Sequence, residues 1–522
     1  LPDNKHITNA KEQKALSYPD FSYLLFFLPT ALIIYQLVHR KWRWIVLLVF
    51  SCFFAFSISK KLILIIAGTI LFTYVNALLI ERGRGRWRKA FLVIGIVALV
   101  GTLGFLKYYN FFADGISSLS ELMHIPFSMA QKKLFLPIGI SFYTLEAVGY
   151  LADIYWKKFP AEKNPAKFAL FLLFFPTIME GPICRYEDVG SQYLKGDPIT
   201  SENLLYGFQR ILWGMFKKVV IADRLNTYVN AIFGNYTQFS GMLVLLSAIG
   251  YTVQLYMEFS GEIDIVIGSA RAFGIQLPEN FRQPFFSKNA SEFWRRWHIS
   301  LGVWFKTYIF YPVSLSRTAH RFGRFGRKYL GKYLTKLGTM AIALFPVWLC
   351  NGLWHGARWN YLFYGMYYFV IIMIQLAMEP VWDGLLRRIH VSKNNPVWNV
   401  LRILGTWIVI FTGELFFRAD TLTAGFAMFG SIFSNFEWST LTNGILLNFG
   451  LSAADILIIL AGCAIVAVAD TCVEKKAALP EHSVLPQSVI RFSFCAMLLF
   501  TVILAGAYGE GYQIVDMIYA NF

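Results

Sequence analysis

Charge is what this chain has least of. Only 15% of its 522 residues are Asp, Glu, Lys or Arg, whereas a soluble globular protein carries about a quarter, and that scarcity excludes a water-soluble enzyme. Cysteine is sparse and unpatterned. The six, Cys52, Cys184, Cys350, Cys463, Cys472 and Cys495, form no Cys-x-x-Cys pair and sit mostly inside apolar runs, which argues against a zinc cluster or a disulfide framework and leaves them as small core hydrophobes. No Walker phosphate loop, Gly-x-Ser-x-Gly elbow or dinucleotide fingerprint occurs, so energy coupling and cofactor redox chemistry have no support. A fixed-period repeat is missing, and so is any polar linker long enough to set off a soluble domain.

What is abundant is apolar and aromatic side chain. The set AVILMFWYC makes up 56% of the chain and aromatics 17%. Apolar runs near 21–38, 45–58, 62–80, 90–106, 134–155, 167–179, 204–222, 241–257, 338–355, 359–378, 399–417, 453–469 and 490–508 give roughly eleven to thirteen spanning or re-entrant helices by the length needed to cross hydrocarbon. The expected fold class is an all-α integral membrane protein: a polar N-terminal segment, 1–20, and one transmembrane domain, 21–522. Runs 45–58 and 167–179 are short, and 134–155 carries Pro137, Gly139, Glu146 and Gly149, so half-crossing helices that line a cavity are expected there. The stretch from Phe21 to Val38 ends in His39-Arg40-Lys41 without a small-residue cleavage pattern and reads as a retained first span.

Lys and Arg outnumber Asp and Glu by 48 to 31, a net charge of +17. In a membrane chain the positive-inside bias and anionic headgroups account for this excess, and a nucleic-acid partner is not needed. The densest clusters are His39–Arg43, Glu81–Lys89 and the acid-free stretch Arg317–Lys336. The last reads as a topogenic, lipid-facing loop or a site for an anionic ligand. Placing the three in the cytosol puts the N-terminus outside.

A polar group inside an apolar span is costly and is read first as functional. His6, His39, His124, His320, His390 and His482 lie in tails, loops or span ends and need no special role. His355 closes an apolar run in Asn351-Gly352-Leu353-Trp354-His355-Gly356-Ala357, where Gly352 and Gly356 would open space for a substrate chain. An imidazole held out of water stays neutral and can take a proton from a hydroxyl. His298 lies in Phe293-Trp294-Arg295-Arg296-Trp297-His298-Ile299-Ser300-Leu301. At 100° per residue this is one amphipathic helix, with Phe293, Trp297, Leu301 and Trp304 on a single face; His298 then either acts in catalysis or caps a buried polar group. Neither histidine has a partner at zinc-ligand spacing, so no metal is expected. In Met257-Glu258-Phe259-Ser260-Gly261-Glu262-Ile263-Asp264, Glu258 and Glu262 share a helix face; a structural network with buried basic groups is the favoured reading over paired-carboxylate catalysis.

These strings resemble one family. Leu136-Pro137-Ile138-Gly139-Ile140-Ser141-Phe142-Tyr143-Thr144, Phe175-Pro176 with Gly181-Pro182-Ile183, Phe259-Ser260-Gly261 with Asp264, Leu277-Pro278-Glu279-Asn280-Phe281, the tryptophan-rich stretch Glu292–Leu301 and Gly352-Leu353-Trp354-His355-Gly356-Ala357 resemble the bacterial branch of the membrane-bound O-acyltransferases (MBOAT), which includes the alginate O-acetylation membrane protein and the teichoic acid D-alanyl transfer protein. Lys107-Tyr108-Tyr109-Asn110-Phe111 and the terminal Ile518-Tyr519-Ala520-Asn521-Phe522 are similar too. Glu258 and Glu262 depart from the family's usual Asp-Phe-Ser-Gly-Tyr.

The resemblance implies a multi-pass helical bundle around a tunnel in a bacterial plasma membrane. A thioester donor, acetyl-CoA or an acyl carrier protein, would enter from the cytosol as substrate, with no bound cofactor. The acceptor would be a hydroxyl of a cell-surface polymer or of an extracytoplasmic acyl-handling partner protein. His355 takes the place of the family's central histidine and His298 that of the second, while Trp354, Asn351, Trp297, Arg296, Glu258, Ser260 and Asp264 are the expected tunnel residues. D-alanyl transfer from a carrier protein is the alternative within the class. A transporter or flippase using Glu258, Glu262 and Asp264 is the alternative outside it.

Overall fold

The computed structural model describes residues 16–475 and 487–508. Most of the polar N-terminal segment and the terminal Ile518–Phe522 motif lie outside them. Every regular element among the described residues is helical, the outcome lipid imposes on a chain whose backbone groups must be satisfied within each segment.

Among the described residues, eight helices are long and apolar enough to cross a membrane: Arg40–Ile58, Lys60–Arg82, Arg86–Leu122, Gly241–Ala272, Gly331–His355, Trp359–Arg388, Pro396–Arg418 and Ala453–Glu474. Three shorter apolar helices, Ser22–Leu37, Leu422–Ser434 and Val489–Ala505, accompany them. The run 45–58, expected to cross halfway, thus belongs to a full-length span. Burial separates centre from rim. Gly241–Ala272 is buried over 72% of its apolar window and Arg86–Leu122 over 11%, so the first is the axis of the bundle and the second turns Val93, Val97 and Phe105 outward.

The axis is held by glycine contacts. A Cβ on Gly214 would stand 2.3 Å from the carbonyl oxygen of Gly261, and one on Gly268 2.6 Å from that of Gly207. Helices Ser201–Met215 and Gly241–Ala272 therefore meet backbone to backbone, as small residues allow between membrane helices.

The two interrupted runs are broken as the sequence suggested. The Ile140–Tyr155 helix starts only after Gly139, whose φ of 75° suits glycine and whose absent Cβ leaves room for the Ile178 carbonyl. Helix Pro165–Leu173 gives way to a buried irregular stretch, 174–184. Its backbone groups are met by side chains: Tyr18 Oη donates to Phe175 O, Ser51 Oγ accepts from Phe175 N, Ser300 Oγ from Ile183 N and Glu146 Oε1 from Cys184 N. Non-helical backbone survives at membrane depth only when protein groups satisfy it in this way.

Arg317–Lys336 is not a loop. Arg317–Tyr329 is an amphipathic helix that buries Ala319, Gly323 and Gly326 and packs on Gly331–His355. The basic clusters gather at one end of the bundle. Arg43–Ile58 and Lys60–Arg82 are antiparallel neighbours joined at Ser59, which brings 39–43 and 81–89 together. Arg88 donates to the carbonyls of Ile154 and Tyr155, and Tyr308 to Asp153, which draws the segment leading into Arg317 to that same end.

Candidate active site

His298 owes its position to a break in the backbone. Trp297 is extended, with φ −109° and ψ 130°, and His298 is left-handed, with φ 46° and ψ 53°. The single amphipathic helix expected over 293–305 is therefore two seven-residue helices, Ala290–Arg296 and Ile299–Phe305. Periodicity could not reveal this, because the break is made by a distant residue. Asn280 accepts the Ile299 amide on its backbone oxygen at 2.9 Å, while its Oδ1 accepts from Ser300 N at 3.0 Å and Ser300 Oγ at 2.9 Å and lies 3.1 Å from His298 Nδ1.

Those contacts fix the ring. A backbone N–H only donates, so the Asn280 atom is the amide oxygen and His298 Nδ1 must donate to it, leaving the lone pair of the neutral imidazole on Nε2. Burial lowers the His298 pKa to about 3, which keeps the ring neutral. A non-glycine residue held at positive φ is the kind of strained backbone found at functional sites, and Phe259 meets the ring edge-on at 4.9 Å.

His355 ends the Gly331–His355 helix and is 5% exposed. Its ring meets Phe417 edge-on at 4.9 Å and Tyr364 at 5.7 Å. Two side chains from Arg86–Leu122 finish the last turn: Lys107 Nζ donates to Trp354 O at 2.6 Å, and Tyr108 Oη donates to Leu353 O. Gly352 serves packing rather than substrate access, since a Cβ there would stand 2.5 Å from the Tyr361 carbonyl oxygen on the neighbouring helix. The two imidazoles lie within electrostatic reach of one another.

A cavity of about 1000 Å³ reaches this place. Trp294, His298, Trp348 and Asn351 line it together with Leu301, Leu344, Val347 and Leu376, and Lys288, Lys393 and Arg402 add positive charge beside Glu379 and Asp383. Its lining runs from Asn351 back to Met340 on Gly331–His355 and from Ile372 to Leu386 on Trp359–Arg388, so it extends toward the basic end of the bundle. His355 lies one turn past Asn351.

Of the two expected catalytic residues His298 lines this cavity and His355 does not, and of the expected tunnel residues Asn351 lines it and the others do not. Trp297 stacks on Phe293 at 5.4 Å within the core, and Arg296 binds Glu292 and Glu474. Trp354 packs on Phe142. Glu258, Ser260 and Asp264 face Ser201–Met215 and the helical segment Phe216–Ala222 that continues it. Lys218 bridges Glu258 at 3.1 Å and Asp223 at 2.9 Å, Lys217 bridges Ser260 at 2.8 Å and Asp264 at 2.7 Å, and Arg210 completes Asp264 at 2.7 Å. This is a buried network of paired charges, the favoured reading of that cluster. Sequence reasoning missed Asn280, Lys107, Lys217 and Lys218. The two lysines did carry a signal, as adjacent charges inside the apolar run 204–222.

Residues 160–326 match the family described as MBOAT, membrane-bound O-acyltransferase family. A probable alginate O-acetylase of Pseudomonas aeruginosa is 33% identical over 422 residues, covering 80% of this chain and 74% of that protein. A peptidoglycan O-acetyltransferase of Helicobacter pylori is 30% identical over 73% of this chain and 71% of its own length. A teichoic acid D-alanyltransferase of Bacillus subtilis is 30% identical over 45% of this chain and 58% of its own length. With its helical membrane fold and a similarity that runs along most of its length, the chain belongs to the membrane-bound O-acyltransferase family and is an O-acyltransferase.

Proposed function

We propose that the chain moves an acetyl group from a cytosolic thioester to a hydroxyl of a cell-surface polysaccharide, directly or through an extracytoplasmic relay protein. The observation that carries the reading is the cavity of about 1000 Å³ that extends toward the basic end and has His298 in its wall. From Met340 to Asn351 it follows eleven residues of one helix, about 17 Å at 1.5 Å per residue, long enough for a pantetheine arm. Cations among its lining suit the phosphates of the donor.

His355 acts as general base. As the acceptor hydroxyl gives its proton to the imidazole, the hydroxyl oxygen bonds to the thioester carbonyl carbon; the carbon–sulfur bond then breaks, and the thiolate leaves with that proton as a thiol. His298, in the wall of the cavity, positions the acceptor beside His355. Acetyl is favoured over D-alanyl because similarity to the O-acetylases covers far more of the chain than similarity to the D-alanyltransferases.

The test is turnover by the purified chain in liposomes loaded with radiolabelled acetyl-CoA. Thiol release that depends on an added outer-face acceptor protein, with label recovered on oxygen, supports the reading. Movement of intact substrate across the bilayer without thiol release would replace it with transport. Efficient acetylation of a soluble polymer by the chain alone would remove the relay.

A further inference from the structure

The Arg317–Tyr329 helix carries no acid and has a face that the catalytic reading does not use. Arg317, His320, Arg321 and Arg324 fall at i, i+3, i+4 and i+7, so they share one side of the helix, and with Leu315 they line a separate hollow of about 380 Å³. All four are exposed. Among the described residues none of the three guanidiniums has an ion pair or a hydrogen bond, whereas Arg40 and Arg185 at the same end of the bundle bind Asp197, Glu187 and Asp188. Depth decides what such a hollow meets. The apolar part of the Gly331–His355 helix begins at Gly338, where a Cβ would strike the Phe322 ring, and Gly326 stands against Thr335. The two helices therefore run antiparallel, with Phe322 beside the residue at which hydrocarbon begins, and Arg317, five residues earlier, lies about 7 Å deeper along the helix. Leu315, Phe325 and Tyr329 flank the arginines and are 72%, 53% and 62% exposed. Cations at headgroup level with bare apolar side chains beside them are the pattern of a helix seated in the lipid interface.

We propose that Arg317, Arg321 and Arg324 hold the phosphate of an anionic phospholipid in the leaflet at the basic end of the bundle. A guanidinium presents its N–H groups as a planar fork that matches two phosphate oxygens, and three of them around one hollow meet a phosphodiester from more than one side. Leu315 and Phe325 then lie against the first carbons of the acyl chains. A free phosphate would use the cations and leave those apolar surfaces in water, which is why the occupant is a lipid. The site is apart from the one that suits the acyl donor. None of its residues lines the larger cavity, whose own cations include Lys288, Lys393 and Arg402. Its effect reaches the catalytic helix all the same. Gly323 and Gly326 pack on Thr339 and Thr335, so a lipid that holds the basic helix in the interface braces the first turns of the helix that ends in His355.

Lipid binding to the purified chain in a neutral detergent tests the site, with bound lipid counted by native mass spectrometry, so no turnover is needed. One phosphatidylglycerol should bind about tenfold more tightly than phosphatidylcholine, the size of one hydrogen bond to a charged group. Replacing the three arginines together, Arg317→Gln with Arg321→Gln and Arg324→Gln, should abolish that preference. The control removes the same charge from the same end. Arg82, Arg84 and Arg86 are exposed and line neither cavity, so Arg82→Gln with Arg84→Gln and Arg86→Gln should keep the preference. An equal loss in both variants would reduce the effect to diffuse attraction and overturn the site. Should the first triple variant fail to stay monodisperse, Arg321→Gln alone should weaken phosphatidylglycerol about threefold, and unchanged binding there would overturn the site as well. Inorganic phosphate and glycerol 3-phosphate should not displace the lipid at matched concentration; displacement would give the hollow to a soluble phosphate. One-to-one expulsion of the lipid by an acyl carrier protein would give this face to a protein partner instead.

Discussion

Lys107 Nζ lies 2.6 Å from the carbonyl oxygen of Trp354, so the Arg86–Leu122 helix carries the cation that finishes the last turn of the helix ending in His355. A cation at a helix C-terminus meets carbonyls that have no partner within the helix. Lys107→Met should cost about 1.5–3 kcal/mol, the worth of a hydrogen bond to a charged group, and lower the melting temperature in detergent. Turnover should fall as the His355 turn frays. Lys107→Arg should recover most of both, and unchanged melting and turnover in Lys107→Met would show that the cap carries nothing.

The two histidines should differ in what their loss does. His355→Ala and His355→Gln should lower kcat by about 10²–10⁴-fold, the usual contribution of a general base, with the protein still inserted and monodisperse. His298→Ala should be severe as well, with part of the loss in KM for the acceptor. Turnover close to wild type in purified His355→Ala would remove that residue from the mechanism.

Asn280 should matter through His298. In Asn280→Leu the Nδ1 proton loses its acceptor, and the neutral ring is free to move the proton to Nε2. Histidine labelled with ¹⁵N, with the His298 signals assigned by their absence in His298→Gln, should show an Nδ1–H tautomer in the wild-type chain and a mixture in Asn280→Leu. An Nε2–H tautomer in the wild-type chain would contradict the hydrogen-bond directions.

The buried charges around Glu258 should behave as a unit. Lys218→Met leaves Glu258 and Asp223 facing each other without the ammonium that lies 3.1 Å and 2.9 Å from them, and breaking a buried pair on one side costs about 3–5 kcal/mol. The variant should accumulate poorly in membranes. Adding Glu258→Gln should recover part of the loss, because coupled neighbours are not additive. Strict additivity in the amount of folded protein would argue against a shared network.

Orientation is open to labelling. In a chain with its six cysteines replaced, Thr318→Cys on the basic helix should resist a membrane-impermeant thiol reagent in intact cells, whereas Met123→Cys, beyond the far end of Arg86–Leu122, should react. The basis is the retention of basic residues on the cytosolic side. Reaction at position 318 would invert the topology and move the donor to the other face.

The sequence by itself determined the class of solvent and the class of structure: long apolar runs with little charge have only helices to fold into, and the places where Gly139 and the 167–179 run interrupt them were readable because glycine and short length are local signals. It also singled out His298 and His355, since a histidine among apolar residues stands out wherever the chain later puts it. Tertiary structure decided what those residues face. Whether Trp297 points at a cavity or at Phe293 depends on the break at His298, and that break is set by Asn280, eighteen residues away. Gly352 looked like room for substrate and is room for the Tyr361 backbone, because only a packed neighbour can say what an absent side chain makes space for. Glu258 and Asp264 found Lys218, Lys217 and Arg210 through the glycine contact between two helices. Hydropathy reads one segment at a time, and these relationships exist only between segments.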